Sequence, residues 1–133
     1  LASAYESAGD PGRAIPLYEA TLTDSKRVLG PDHPHTLTSR NNLASAYRSA
    51  GDLGQAIPLL EATLTDSQRV LGHDHPNTLM SRNNLASAYW SAGDLGQAIP
   101  LYEAALTDSQ QVLGHDHPTT EIIRSNLDSV RST

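Results

Sequence analysis

The chain has 133 residues, a formal net charge of −6 and 38% hydrophobic residues, enough apolar side chain for one compact domain or a short repeat array. The negative charge argues against a nucleic-acid partner, whose phosphates call for clustered Lys and Arg, and the lack of cysteine removes disulfides and thiolate metal sites. No apolar run approaches the ~20 residues that cross a bilayer and no secretory signal opens the chain, so no membrane partner and a cytoplasmic location are expected.

The organisation is set by an internal repeat. Segments starting at Leu1, Leu43 and Leu85 align without a gap at a period of 42 residues, and the first two differ at only 8 of 42 positions. The array is expected to comprise residues 1–42, 43–84 and 85–126, with 127–133 ending a final helix that starts near residue 118. Leu1 falls in the middle of a first helix and is not a methionine, so the sequence is expected to be part of a longer protein.

Two helices are predicted per copy. Gly9 and Asp10 end the first helix A and begin a helix B, which runs to Gly30. Pro16 lies about six residues into it, as Pro58 and Pro100 do in the later copies, and predicts a kink or a late start. Each following helix A begins at an Asp-His-Pro unit, because proline suits a first turn where its missing N–H is not needed. At Asp74-His75-Pro76 either Asp74 or His75 is the cap, and Leu79, Leu85, Ala86 and Tyr89 keep apolar groups on one side until Ser91-Ala92-Gly93. Asp94 then caps a helix B whose apolar positions are Leu95, Ala98, Ile99, Tyr102, Leu106 and Leu113, closed by Gly114. Links this short make neighbouring helices antiparallel.

The run Asn84-Leu85-Ala86-Ser87-Ala88-Tyr89, followed by Ala92-Gly93-Asp94-Leu95, Ala98-Ile99, Tyr102 and Ala105-Leu106, resembles the tetratricopeptide signature, and it recurs almost intact in each copy. The added residues ending in Val-Leu-Gly-x-Asp-His-Pro resemble the 42-residue variety found in kinesin light chains. The resemblance implies an all-α, right-handed superhelical solenoid, with helices A lining a concave groove that binds a protein or peptide. Stacking explains both properties, since each hairpin buries only part of its apolar face alone.

Mapping the family's groove positions onto this chain gives Thr38, Asn41, Asn42, Ser45 and Arg48, then Met80, Asn83, Asn84, Ser87 and Trp90. The ends add Ser3, Glu6, Ile122, Ser125, Asn126 and Ser129. The Asn amides either bond an extended partner backbone or bond adjacent helices and fix stacking. One position holds Glu6, Arg48 and Trp90 in near-identical copies, either as a charge-selecting set with an aromatic anchor or as an ordinary variable surface position. The family's clamp for chaperone C-terminal carboxylates is only partly matched: Asn42 and Asn84 fit one asparagine, but Asn41 or Asn83 stands at the lysine position and Ser45 or Ser87 at the other asparagine. Chaperone-tail binding is therefore not expected. Arg40, Arg82 and Arg124 recur near the seam, for ligand or for an Asp or Glu of a neighbouring helix.

His73-Asp74-His75 and His115-Asp116-His117 contain metal-ligating residue types, but Pro31 breaks the series and the unit already serves as a cap, so no metal is expected. There is no nucleophile elbow and no phosphate loop, so neither an enzyme nor a cofactor is expected. Glu19, Glu61 and Glu103 recur singly and are expected to cover the outer wall. Two functions follow: a non-catalytic scaffold binding a peptide or partner domain, or an array that self-associates end to end. The second draws on Ile122, Ile123, Leu127 and Val130, read as exposed where a following helix B would sit, or else as marks of a capping helix.

Overall fold

The computed structural model describes residues 9–132. Among the described residues there are six helices and no strand: α1 Pro11–Leu29, α2 Pro34–Ser49, α3 Leu53–Leu71, α4 Pro76–Ser91, α5 Leu95–Val112 and α6 Pro118–Arg131. They fall into two compact units, residues 1–66 and 67–133, whose boundary lies within α3. By sequence position α1, α3 and α5 are helices B, and α2, α4 and α6 are helices A.

Helices A are capped by histidine. Nδ1 of His33, His75 and His117 accepts the backbone N–H of His35, Asn77 and Thr119, each at 3.1 Å. Of the two cap candidates Asp74 and His75, His75 therefore takes the role, one residue ahead of a proline that needs no N–H partner. Replacing His75 with alanine is expected to cost about 1 kcal/mol in urea denaturation, and His75→Asp to recover it, because a shorter acceptor serves the same N–H groups. Equal loss in both variants would mean that the imidazole contributes through packing instead.

Helices B are capped by aspartate. Asp52 and Asp94 each accept the backbone N–H of the glutamine three residues on, at 3.2 Å, and also its side-chain amide at 2.6 and 2.7 Å. Asp10 accepts the N–H of Arg13. These caps correct the expected late start: α1, α3 and α5 begin at residues 11, 53 and 95 and run on through Pro16, Pro58 and Pro100. Each proline removes one i→i−4 bond, to the carbonyl of Gly12, Gly54 or Gly96 in the first turn. The prolines are exposed, so water can serve the freed carbonyl.

The link from helix A to helix B needs a left-handed residue. Gly51 and Gly93 supply it at φ of +80° and +78°. The following N–H, of Asp52 or Asp94, returns to the carbonyl of Tyr47 or Tyr89 at 2.8 and 2.9 Å. Helix end and next cap are thus one turn.

In the first unit, Ala14, Tyr18 and Leu22 of α1 join Leu43, Ala46 and Tyr47 of α2 and Ala56 of α3 in one core. Small residues at the contacts let the backbones approach, which compensates for the absence of phenylalanine. Tyr47 Oη donates to Glu19 Oε2 at 3.2 Å. Burial of the phenol, then the hydrogen bond to Glu19 and the charges of Glu19 and Asp52, raise its pKa above the ordinary 10.0. The folded state thus favours the neutral phenol; this stability is fully present below pH 10 and is lost as pH rises through the raised folded value. Denaturation midpoints are expected to fall more steeply above pH 10 in the parent than in Tyr47→Phe. Parallel curves would exclude the Tyr47 contribution.

In the second unit α5 packs against α4, and α6 packs against both. Tyr102 is fully buried, its hydroxyl paired with that of Ser87, and Ser109 pairs with Thr120 at 2.6 Å. Here the reading of α6 as an exposed apolar surface is corrected. Ile123, Leu127 and Val130 are 0%, 2% and 2% exposed, and of the four only Ile122 stands out, at 46%. The residues Glu121, Arg124 and Asp128 lie instead in register with Leu79, Arg82 and Ala86 of α4, of which Arg82 reaches Asp108 of α5. Buried Leu79 and Ala86 thus become exposed acids in α6, while buried Ser81 and Ala88 become the larger Ile123 and Val130.

Candidate functional site

The packing above leaves helix A with one accessible stripe. On α2, with most other positions buried, Thr38 and Asn42 are exposed while Asn41, Ser45 and Arg48 are half-buried. His35, on the same stripe, is exposed and was not among the predicted residues. On α4 the stripe consists of Asn77, Met80, Asn84 and Trp90. The 3.6-residue turn puts Asn77, Met80 and Asn84 on one face at i, i+3 and i+7, and Trp90, ten residues beyond Met80, lies about 80° round the helix from it. Glu6 and Ser3 lie outside the described residues.

Two predicted residues are interior. Asn83 is 3% exposed and its Oδ1 accepts from Asn126 Nδ2 of α6 at 3.0 Å. Ser87 is buried against Tyr102. For the Asn83–Asn126 pair, the stacking alternative is therefore the observed one. The amides of Asn42 and Asn84 remain partly accessible.

The recurring arginines are committed to ion pairs. Arg40 Nη1 meets Asp66 Oδ2 at 2.7 Å, and Arg82 Nη1 meets Asp108 Oδ2 at 2.8 Å. Both pairs span 26 residues and join a helix A to the helix B that follows it. Their constant spacing is the signal that could have found them. Arg124 donates to the carbonyl of His115 at 3.1 Å. Glutamates of helix B also turn out to be structural, beyond covering a wall: Glu19 holds Tyr47, and Glu103 meets Arg131 at 2.6 Å, each 28 residues on.

His73, Asp74 and Asp108 bring ligand-type atoms within 4.8 Å of one another. The grouping differs from the sequence triplet, since His75 is occupied in capping. It is a poor cation site. His73 Nε2 lies 3.2 Å from the same Asp108 oxygen that Arg82 holds, and a guanidinium only 4% exposed already neutralises it. No catalytic grouping is assembled around these residues.

Comparison with known proteins adds the following. The model of the tetratricopeptide repeat family matches residues 1–67 and 41–107. A kinesin light chain-like protein of Podosopora anserina with nearly identical TPR-like repeats superposes at a TM-score of 0.88 and 29% identity, over 98% of this chain and 62% of its own. A variant of it gives 0.87 and 29%, over 98% and 61%. BtubC (BKLC) of P. vanneervenii, at 21% identity and a TM-score of 0.76 over 99% of this chain and 61% of its own, is alike in fold. The chain spans about three-fifths of the length of these structures. No curated protein matches it. The likeness gives an all-α helical-repeat solenoid fold. Among the described residues no helix is long and apolar enough to cross a membrane.

Proposed function

Because the chain belongs to the tetratricopeptide repeat family, whose fold generally mediates protein–protein interaction, we propose that it is a non-catalytic scaffold in which the accessible faces of helices A bind a peptide or partner domain. The repeats would be residues 1–42, 43–84 and 85–126, and each unit by itself would offer such a face, with Thr38, Asn42 and Arg48 on α2 of the first and Met80, Asn84 and Trp90 on α4 of the second. One observation carries the reading: in copies otherwise nearly identical, the accessible stripe changes chemistry, from Thr38 to Met80 and from Arg48 to Trp90, while Leu43/Leu85 and Tyr47/Tyr89 in the core do not change. Tryptophan and methionine are residue types enriched at protein interfaces.

End-to-end self-association draws no support from α6, whose stripe in register with Leu79 and Ala86 carries Glu121 and Asp128. A receiving surface for another helix B would be apolar.

The test is selection of peptides on the intact chain from a random displayed library, followed by titration of the selected peptides. The double variant Asn84→Ala with Trp90→Ala is expected to weaken binding by tenfold or more while the helical circular dichroism is unchanged. Peptides that bind the variant as tightly as the parent would refute the assignment of this face.

A further inference from the structure

The second unit allows the partner's chemistry to be narrowed, on the assumption that helices A form the binding face. On α4 the accessible stripe, Asn77, Met80, Asn84 and Trp90, contains no charged residue, although the chain carries a net −6. Beside it on α6 stands Ile122, which occupies the repeat position of Met80 and is 46% exposed. The two helices are adjacent, tied by the Asn126–Asn83 bond at 3.0 Å.

Charge decides between partner classes. An acidic segment would need a cation here, and Arg82 is buried against Asp108, Arg131 is paired with Glu103 and Arg124 donates to a backbone carbonyl. It would also approach an acidic protein. A basic segment would find acids only at Glu121 and Asp128 on the neighbouring stripe of α6, and none on α4. What α4 and α6 offer instead is apolar contact from Met80, Trp90 and Ile122, with the Asn84 amide able both to donate to and accept from a backbone.

We infer that the segment bound on α4 and α6 is an uncharged peptide carrying aliphatic or aromatic side chains, seated on Met80, Ile122 and Trp90. Thr38, at the position of Met80 and Ile122, and Arg48, at that of Trp90, make the stripe of α2 the more polar one.

The experiment uses the whole chain and three fluorescent pools of short, end-blocked random peptides: one enriched in Asp and Glu, one in Lys and Arg, and one free of charge but rich in Leu, Ile, Val and Phe. The uncharged pool is expected to bind, with little dependence on salt, and Met80→Gln or Ile122→Gln to weaken it about tenfold, a loss of ~1.4 kcal/mol. Both positions are partly exposed, so these variants keep the fold, as circular dichroism would verify. A charged pool that binds in a salt-dependent way and is weakened by Asn84→Ala would overturn the chemistry inferred here but leave the face in place. If no pool responds to any substitution on α4 or α6, the inference falls and the binding face with it. A concentration-dependent dimer in light scattering that Met80→Glu dissociates would assign the surface to a second copy and also overturn the inference.

Discussion

Asp108→Ala is expected to destabilise the protein by about 3 kcal/mol and to lower Tm by roughly 10 °C. The cost lies in the partner left behind. Arg82 is 4% exposed and meets Asp108 at 2.8 Å, whereas Asp108 is 26% exposed. Removing the carboxylate strands a buried guanidinium, which can neither reach water nor shed its proton. The reverse change, Arg82→Met, leaves a carboxylate that is partly wet and is expected to cost less. Combining Arg82→Met with Asp108→Leu removes both charges and is expected to return stability to within about 1 kcal/mol of the parent, since a buried pair is often no better than packed apolar groups. Urea denaturation of the four proteins closes the cycle. If Asp108→Ala lost less than Arg82→Met, the burial argument would be wrong.

The second large effect comes from exchanging one residue between two equivalent positions. Leu79→Glu is expected to unfold the second unit, with a loss of more than about 4 kcal/mol, because it puts an unpaired carboxylate where the side chain is fully buried. Glu121→Leu makes the opposite exchange at the same repeat position in α6 and is expected to leave stability within about 0.5 kcal/mol, since Glu121 is exposed. Combined with Asp128→Ala, it should make the molar mass climb with concentration, because α6 would then display the apolar stripe that α4 buries. Comparable losses for Leu79→Glu and Glu121→Leu would mean that the two helices do not differ in what covers them.

Much of this was legible before any coordinates. The 42-residue period, the Asp-His-Pro starts and the Gly-Asp turns locate the helices, because they report local backbone chemistry that does not depend on distant packing. The prolines misled for a related reason: their penalty is local, and an aspartate cap plus exposure offsets it. The site was less legible. Asn83 and Asn84 are neighbours of one residue type, yet one is buried and bonded to Asn126 while the other is partly accessible. A turn of roughly 100° between consecutive residues separates them, and which side faces a neighbour is fixed by packing. The role of α6 was similarly split, since Ile122 and Ile123 look alike in sequence and only the structure assigns one to solvent and the other to the core. The arginines could have been solved from spacing alone, had the invariant offset to Asp66 and Asp108 been weighed.

Those fixed offsets have a genetic corollary. Arg40 finds Asp66 and Arg82 finds Asp108 at a step of 26 residues, and Glu19 and Glu103 reach Tyr47 and Arg131 at a step of 28, both shorter than one period. Every partner sits at the same phase of the sequence, so unequal crossing-over between near-identical copies removes or adds a donor and its acceptor together. A gene for such an array can change copy number in a single event and still encode a chain with matched charges, which makes length the property most open to selection.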